Sequence, residues 1–241
     1  YSYSIDLDST GAGYITGFFS NTVSFGSTSL TSAGMKDVFV AKVSNGGSWE
    51  WAVRAGGSDN EEGSDLTYSE GNIYLAGQYK GTPTFGSITL PTPPGSHSNS
   101  FVAKMDQNGN WDWVLNTNSI GPISGTSIVH RNSEIIVSGT FSFTATFGGD
   151  SLTSVGQNDA YISSLNEHGD WLWVEQIGGN YADHTYDLAY DNSGAIYVVG
   201  TTSSTPMYLE NYSVSDGAFF AKYASSEDHD DDNDGVPDLN D

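Results

Sequence analysis

The chain has 241 residues, 37% hydrophobic and 13% aromatic, with Lys plus Arg numbering 7 against 30 Asp plus Glu, for a formal net charge of −23. That is enough apolar material for a core, while the acidity excludes partners that need cationic patches, such as nucleic acid or an anionic membrane face, and favours cations or a high-salt medium. There is no cysteine, hence no disulfide framework, and no run of about 18 apolar residues that would span a membrane as a helix.

From the N-terminus, the first alternating segment is Ile5-Asp6-Leu7-Asp8. After a turn of small and polar residues comes Tyr14-Ile15-Thr16-Gly17, so the two read as a β-hairpin. A longer connection carrying Phe25-Gly26 leads to a third strand, Phe39-Val40-Ala41-Lys42, and a polar turn leads to a fourth, Trp49-Glu50-Trp51. The series then recurs. Its second copy runs through Asp65-Leu66-Thr67-Tyr68, Ile73-Tyr74-Leu75-Ala76-Gly77, Phe85-Gly86, Phe101-Val102-Ala103-Lys104 and Trp111-Asp112-Trp113. The third has Ser127-Ile128-Val129-His130, Ile135-Ile136-Val137-Ser138-Gly139, Phe147-Gly148, Tyr161-Ile162-Ser163-Ser164 and Trp171-Leu172-Trp173. The fourth has Asp187-Leu188-Ala189-Tyr190, Ile196-Tyr197-Val198-Val199-Gly200, Tyr208-Leu209 in place of Phe-Gly, and Phe219-Phe220-Ala221-Lys222.

The glycines that close the second strands, Gly17, Gly77, Gly139 and Gly200, lie 60, 62 and 61 residues apart. A fixed period of this size marks supersecondary units that lack private cores and bury their faces on one another. Four antiparallel strands in each unit of about 61 residues, without helical periodicity, predict an all-β fold: a four-bladed β-propeller over residues 1–223, followed by an acidic tail over 224–241.

All six tryptophans fall on the fourth strands, where residues at i and i+2 share a face. Their large area argues for packing between blades; a platform that stacks on sugars is the other reading. The repeated Lys42, Lys104 and Lys222 read as stems laid along a blade with solvated heads. Asp37 and Asp159 precede the third strand at matching positions and read as turn caps. The histidines, His97, His130, His168, His184 and His229, occupy unrelated repeat positions and read as surface or turn residues, with His184, near Asp183 and Asp187, closest to an acid–base cluster. No Gly-x-Ser-x-Gly, His-Glu-x-x-His or phosphate loop occurs, so the expectation is a chain that is not an enzyme, with no catalytic residues.

Gly34-Met35-Lys36-Asp37-Val38-Phe39-Val40-Ala41-Lys42, and Trp51 followed by Gly56-Gly57, resemble the bacterial and archaeal β-propeller repeats of the SBBP type. The resemblance covers about residues 3 to 222. It implies the propeller fold and a place among large exported or surface proteins without an assigned activity.

The repeat has a phase defect. No Trp-x-Trp strand follows Lys222, and the residues before Tyr3 are too few to supply one, so the last blade is expected to be incomplete, with an unpaired edge. That edge is left short and solvated, capped by the tail, or filled by a strand from another molecule.

In the tail, taking Asp230 as position one puts Asp232, Asp234, Asp238 and Asp241 at positions three, five, nine and twelve, Gly235 at six and the Val236 carbonyl at seven. This is the ligand order of a twelve-residue calcium loop, with Asp241 in place of the usual Glu. Hard oxygen ligands select Ca2+ over zinc or copper. Asp228, Asp230 and Asp232 suit a second, overlapping ion, and the stretch resembles a thrombospondin type 3 repeat, which winds around calcium without flanking helices.

The chain opens at Tyr1, without Met or an apolar leader, which is compatible with a removed export signal or with a fragment. Together these readings predict an extracellular or cell-surface structural and interaction module. Calcium stabilises it, and it self-assembles into a homo-oligomer or polymer through the incomplete blade and the tail. The tail's carboxylates would be shared with Asp59, Glu61 or Glu62 of a neighbour. The alternative is a propeller that binds cell-surface glycans; neither nucleic acid nor membrane insertion is expected.

Overall fold

The computed structural model describes residues 1–204, 207–208, 212–215 and 217–223, and builds them almost wholly from antiparallel strands. The first repeat supplies Ser2–Leu7, Gly13–Phe19, Asp37–Val43 and Trp49–Gly56, paired in that order. The second supplies Glu61–Ser69, Asn72–Tyr79, Asn99–Asp106 and Trp111–Asn116, and the third Ile123–Arg131, Glu134–Phe141, Asp159–Asn166 and Trp171–Gly179. The expected hairpin, third strand and Trp-x-Trp strand are therefore present in each of these repeats.

The repeat glycine is the feature that sets the register. The first strand of every repeat bulges opposite it, between Ser2 and Ser4, Gly63 and Asp65, Gly125 and Ser127, and Thr185 and Asp187. A Cβ on Gly17, Gly77, Gly139 or Gly200 would run into the carbonyl oxygen of Tyr1, Glu62, Ser124 or His184 of that bulging strand. Only a residue without a side chain lets the bulged backbone come so close, and the bulge turns the strand more sharply.

The last repeat departs from expectation. Asp183–Tyr190, Ile196–Thr202 and Ala218–Tyr223 form three strands, but the edge expected to be unpaired carries Tyr212–Ser215, with Val214 opposite Phe219 and Ser213 opposite Phe220. The segment reaches that edge by a tight hairpin through Gly217, whose φ of 82° suits glycine. A neighbouring stretch of the same chain thus pairs backbone groups that would otherwise compete for an outside strand.

The core lies between the sheets. Tyr14, Val38 and Val40 of the first sheet pack with Leu66, Leu75 and Phe101 of the second. Ala76 and Val102 pack with Ile128 and Val137 of the third, and Ile136 and Ile162 with Leu188 and Val198 of the fourth. The connectors of the second, third and fourth repeats pair with the last stretch of the repeat before, whereas Thr22–Phe25 of the first pairs with Thr28–Thr31. Thr84–Phe85 pairs with Ala55 and Gly56, Ala145 and Thr146 with Ser119 and Asn118, and Met207–Tyr208 with Gly179 and Gly178.

Candidate functional site

The junctions between sheets hold the chemistry of this chain. Along the bulged first strands, Ser4, Asp65, Ser127 and Asp187 occupy one repeat position, facing Thr16, Ala76, Ser138 and Val199 or the gap beside them. Ser4 Oγ donates to Asp65 Oδ1 at 2.6 Å, and Ser127 Oγ lies 2.9 Å from Asp65 Oδ2 and 3.1 Å from Asp187 Oδ1. Asp65 Oδ2 also accepts from the Ile128 N–H at 2.9 Å. Serine alternates with aspartate along this position; Asp65 ties its sheet to those on both sides, and Asp187 ties the fourth sheet to the third.

Deeper in the first junction, Asp37 and Glu61 are both fully buried. Asp37 Oδ2 accepts from the Ala33 N–H at 3.0 Å, as a turn cap should, and pairs with Arg54 at 3.1 Å; Glu61 Oε2 accepts from the Gly57 N–H at 2.7 Å. Burial raises both carboxyls above their ordinary range, and Glu61, with Asp37 and Asp59 adding repulsion, reaches about 7. The third junction repeats the device. Asp159, also a cap, accepts from the Val155 N–H at 2.9 Å, and Asp183 accepts from the Gly179 N–H at 2.9 Å and the Ser204 hydroxyl at 2.7 Å. In the second junction the equivalent of Asp37 is Asn99, and no carboxylate is needed there.

The tryptophans go to packing. The first indole of each pair meets its own repeat's connector ring edge to face: Trp49 on Phe25 and Trp111 on Phe85 at 5.0 Å, Trp171 on Phe147 at 5.2 Å. The second reaches across a junction, Trp51 Nε1 donating to the Gln107 carbonyl at 3.2 Å and Trp113 Nε1 to the Glu167 carbonyl at 3.1 Å. Lys42 sits over the Tyr14 ring at 5.4 Å with its head on Glu50 at 3.1 Å, and Lys104 over Tyr74 at 5.8 Å with Asp112 at 3.6 Å. These are stems on a blade with heads toward solvent, as the repeat pattern implied.

His130 is a residue that sequence reasoning misplaced. Far from a surface site, it stacks on Tyr74 with centroids 4.6 Å apart, and its Nε2 lies 3.0 Å from Glu167 Oε1. Burial lowers its pKa, partly offset by Glu167. The signal was available in register: His130 occupies the position of Tyr68, which stacks on Tyr14 in the preceding junction at 4.7 Å. Among the described residues no side-chain hydrogen bond or ion pair joins His184 to Asp183, which accepts from Gly179 and Ser204, or to Asp187, whose Oδ1 accepts from Ser127.

The β-propeller repeat family SBBP matches residues 172–206 of this chain. An uncharacterized WD repeat-containing protein of Acanthamoeba polyphaga mimivirus is 24% identical over 155 residues, 60% of this chain and 11% of its own length. The chain is a β-propeller repeat protein. It spans about a tenth of the length of that relative.

Among solved structures, the GH43 endo-arabinanase from Bacillus licheniformis aligns with 93% of this propeller chain and 94% of its own, at 10% identity and a TM-score of 0.29. The expectation of a chain that is not an enzyme is withdrawn with this finding, since the aligned protein is an enzyme. At that TM-score no residue role passes to this propeller.

The sequence-predicted metal ligands Asp228, Asp230, Asp232, Asp234, Val236, Asp238 and Asp241 lie outside the described residues. Of the carboxylates expected to share their ions in a neighbour, Glu61 is corrected: it is fully buried, and Glu62 is paired with Lys36 at 2.6 Å. What the described residues do present is an open face at each end of the propeller. Ile5 is 60% exposed, whereas Leu66, Ile128 and Leu188, its counterparts in the later sheets, are 3%, 1% and 5% exposed. On the far side Val199 and Phe220 are 41% and 43% exposed, whereas the matching rungs Thr16 with Val40, Ala76 with Val102 and Ser138 with Ile162 are buried.

Proposed function

We propose that this propeller is an extracellular or cell-surface structural and interaction module of four blades, stabilised by Ca2+ through its acidic tail and built to assemble. The observation that carries the reading is the open first face, where Ile5 and Leu7 stand 60% and 58% exposed at positions made for packing. A patch of this kind marks a site where another surface docks. The tail's ligand spacing supports calcium, and extracellular calcium modules bind at roughly 10⁻⁴ to 10⁻³ M, a range filled outside cells. Negative-stain electron microscopy with millimolar calcium, and again after chelation, tests the reading. Ordered assemblies that come apart on chelation are the expected result; dispersed single particles under both conditions would overturn it.

A further inference from the structure

Each internal junction is stitched at the same place by one backbone bond: the Glu61 N–H donates to the Lys36 carbonyl at 2.8 Å, Ile123 to Ser98 at 3.1 Å and Asp183 to Asn158 at 2.8 Å. Beside that stitch stand two repeat positions, filled by Asp37 and Glu61 in the first junction, Asn99 and Ile123 in the second, and Asp159 and Asp183 in the third. The acids are present together or absent together. We propose that in the third junction Asp159 and Asp183 share one proton and form a clasp between the third and fourth sheets, closed while the proton is held and loosened when it leaves.

Both side chains are fully buried, and they meet at Gly178, where a Cβ would lie 2.8 Å from Asp159 Cγ and 2.9 Å from Asp183 Oδ2. Among the described residues no cationic side chain pairs with either. In the first junction Arg54, opposite Phe39, supplies a cation to Asp37; at the same register in the third repeat, opposite Tyr161, stands Gln176, an amide that donates to Asp159 Oδ2. Two ionised carboxylates so placed carry a desolvation cost and repel each other, and one proton relieves both. The hydrogen-bond donors decide where it sits. Asp183 accepts from the Gly179 N–H and from the hydroxyls of Ser204 and Thr202, which favours its ionised form. Asp159 Oδ1 is buried without a hydrogen-bond partner among the described residues, and a proton there donates to Asp183. Burial, with the Asp183 charge adding to it, holds the Asp159 carboxyl above its ordinary range against the opposing pull of the Val155 N–H and Gln176. The other ionisable neighbours do not face the pair: Glu175 and His184, next in the chain to Gln176 and Asp183, alternate to the opposite faces of their strands, and Tyr181 is 55% exposed.

Because the folded state holds a proton that the unfolded chain releases, the clasp contributes fully below the ordinary aspartate range and is lost as pH rises through the raised value. The proton passes to solvent, and the seam at the Asp183 N–H loosens. The second junction, built on Asn99 and Ile123, has no such response. The device involves no residue of the acidic tail and does not depend on assembly.

Amide hydrogen exchange followed by NMR, with chelator present and ionic strength fixed, gives the test. The Asp183 N–H reports the third junction and the Ile123 N–H the second, so the ratio of their protection cancels changes in global stability, the titration of Glu61 included. From about pH 5 to about pH 9 the protection of Asp183 should fall against that of Ile123 by at least about tenfold, since one lost proton is worth up to about tenfold for each pH unit. Asp159→Asn gives the third junction the residue of the second and should make the ratio flat. Asp183→Asn, which removes the repelling charge, should flatten it as well. A wild-type ratio that ignores pH, or the same slope in the folded variants, would overturn the proposal. The chemical shift of the Asp159 carboxyl carbon supplies a readout that needs no variant: it should titrate above the ordinary aspartate range, and titration within that range rules out the shared proton. Replacing sodium by tetramethylammonium should leave the ratio unchanged at every pH; a ratio that follows the cation and not the pH would put a bound ion in the proton's place and end the proposal.

Discussion

Gly77 shows how a single missing side chain holds a sheet in register. The Glu62 carbonyl and the Phe101 ring both occupy the space a Cβ would need, and one is backbone and the other a fully buried ring, so neither can swing aside. Gly77→Ala is therefore expected to destabilise the fold by about 2–3 kcal/mol, measured by urea denaturation. Glu61 makes the opposite point, a charge placed where solvent cannot reach it. Its carboxyl is raised from 4.5 to about 7, so the folded state binds a proton that the unfolded chain releases between those values. Its contribution is fully present below about pH 4.5 and is lost as pH rises through 7, a swing of about 3 kcal/mol at most. Glu61→Gln should flatten the stability profile across that window and be the more stable form at pH 8. A profile with the same slope in both proteins would contradict this account.

At the scale of elements, the connectors act as laces. Phe85 is fully buried, touches Phe101 at 4.9 Å and Trp111 at 5.0 Å, and sits on a strand that pairs with Ala55 of the preceding sheet. One ring thus joins two strands of its own sheet to the sheet before. Phe85→Ala should cost about 3–5 kcal/mol by equilibrium unfolding, more than removing an aromatic that packs within a single sheet. Phe25 holds the same position in the first repeat but lies against no preceding sheet among the described residues, so Phe25→Ala is expected to cost clearly less. The asymmetry between these two variants is the quantity to measure, because it isolates the lacing from ring burial alone.

At the scale of the whole molecule, a net charge of −23 opposes compaction and association at low salt. Monovalent salt should therefore raise the melting temperature through screening, in both the full chain and a chain ended at Tyr223. Calcium should stabilise only the full chain if the acidic tail binds it and that binding is coupled to the fold, by about 2.7 kcal/mol at a hundredfold excess over the dissociation constant. Thermal unfolding of both chains with calcium and with sodium at matched ionic strength separates the two effects. Equal calcium shifts in the two would place the calcium response outside the tail.

Much of the propeller was legible before any coordinates, because its determinants are local and repeated. The alternating hairpins, the Gly of each second strand, the Phe-Gly connectors and the Trp-x-Trp strands each state a strand, a close approach or a packing face within a few residues of chain. The caps Asp37 and Asp159 and the lysine stems were read from the same periodicity. What the repeat pattern could not contain was anything decided between repeats. That Glu61 is buried, that His130 stacks on Tyr74, and that Ser and Asp alternate along one ladder depend on which sheet lies against which, with partners about 60 residues apart in sequence. The fate of the last edge was likewise settled in three dimensions, where Tyr212–Ser215 reached the third strand by a hairpin and paired it. The sequence by itself determined the strands and their order, since backbone pairing and alternation are short-range. Only the tertiary structure decided which apolar faces are covered and which, at Ile5 and Phe220, are left open, since burial belongs to the arrangement of sheets and not to any one of them.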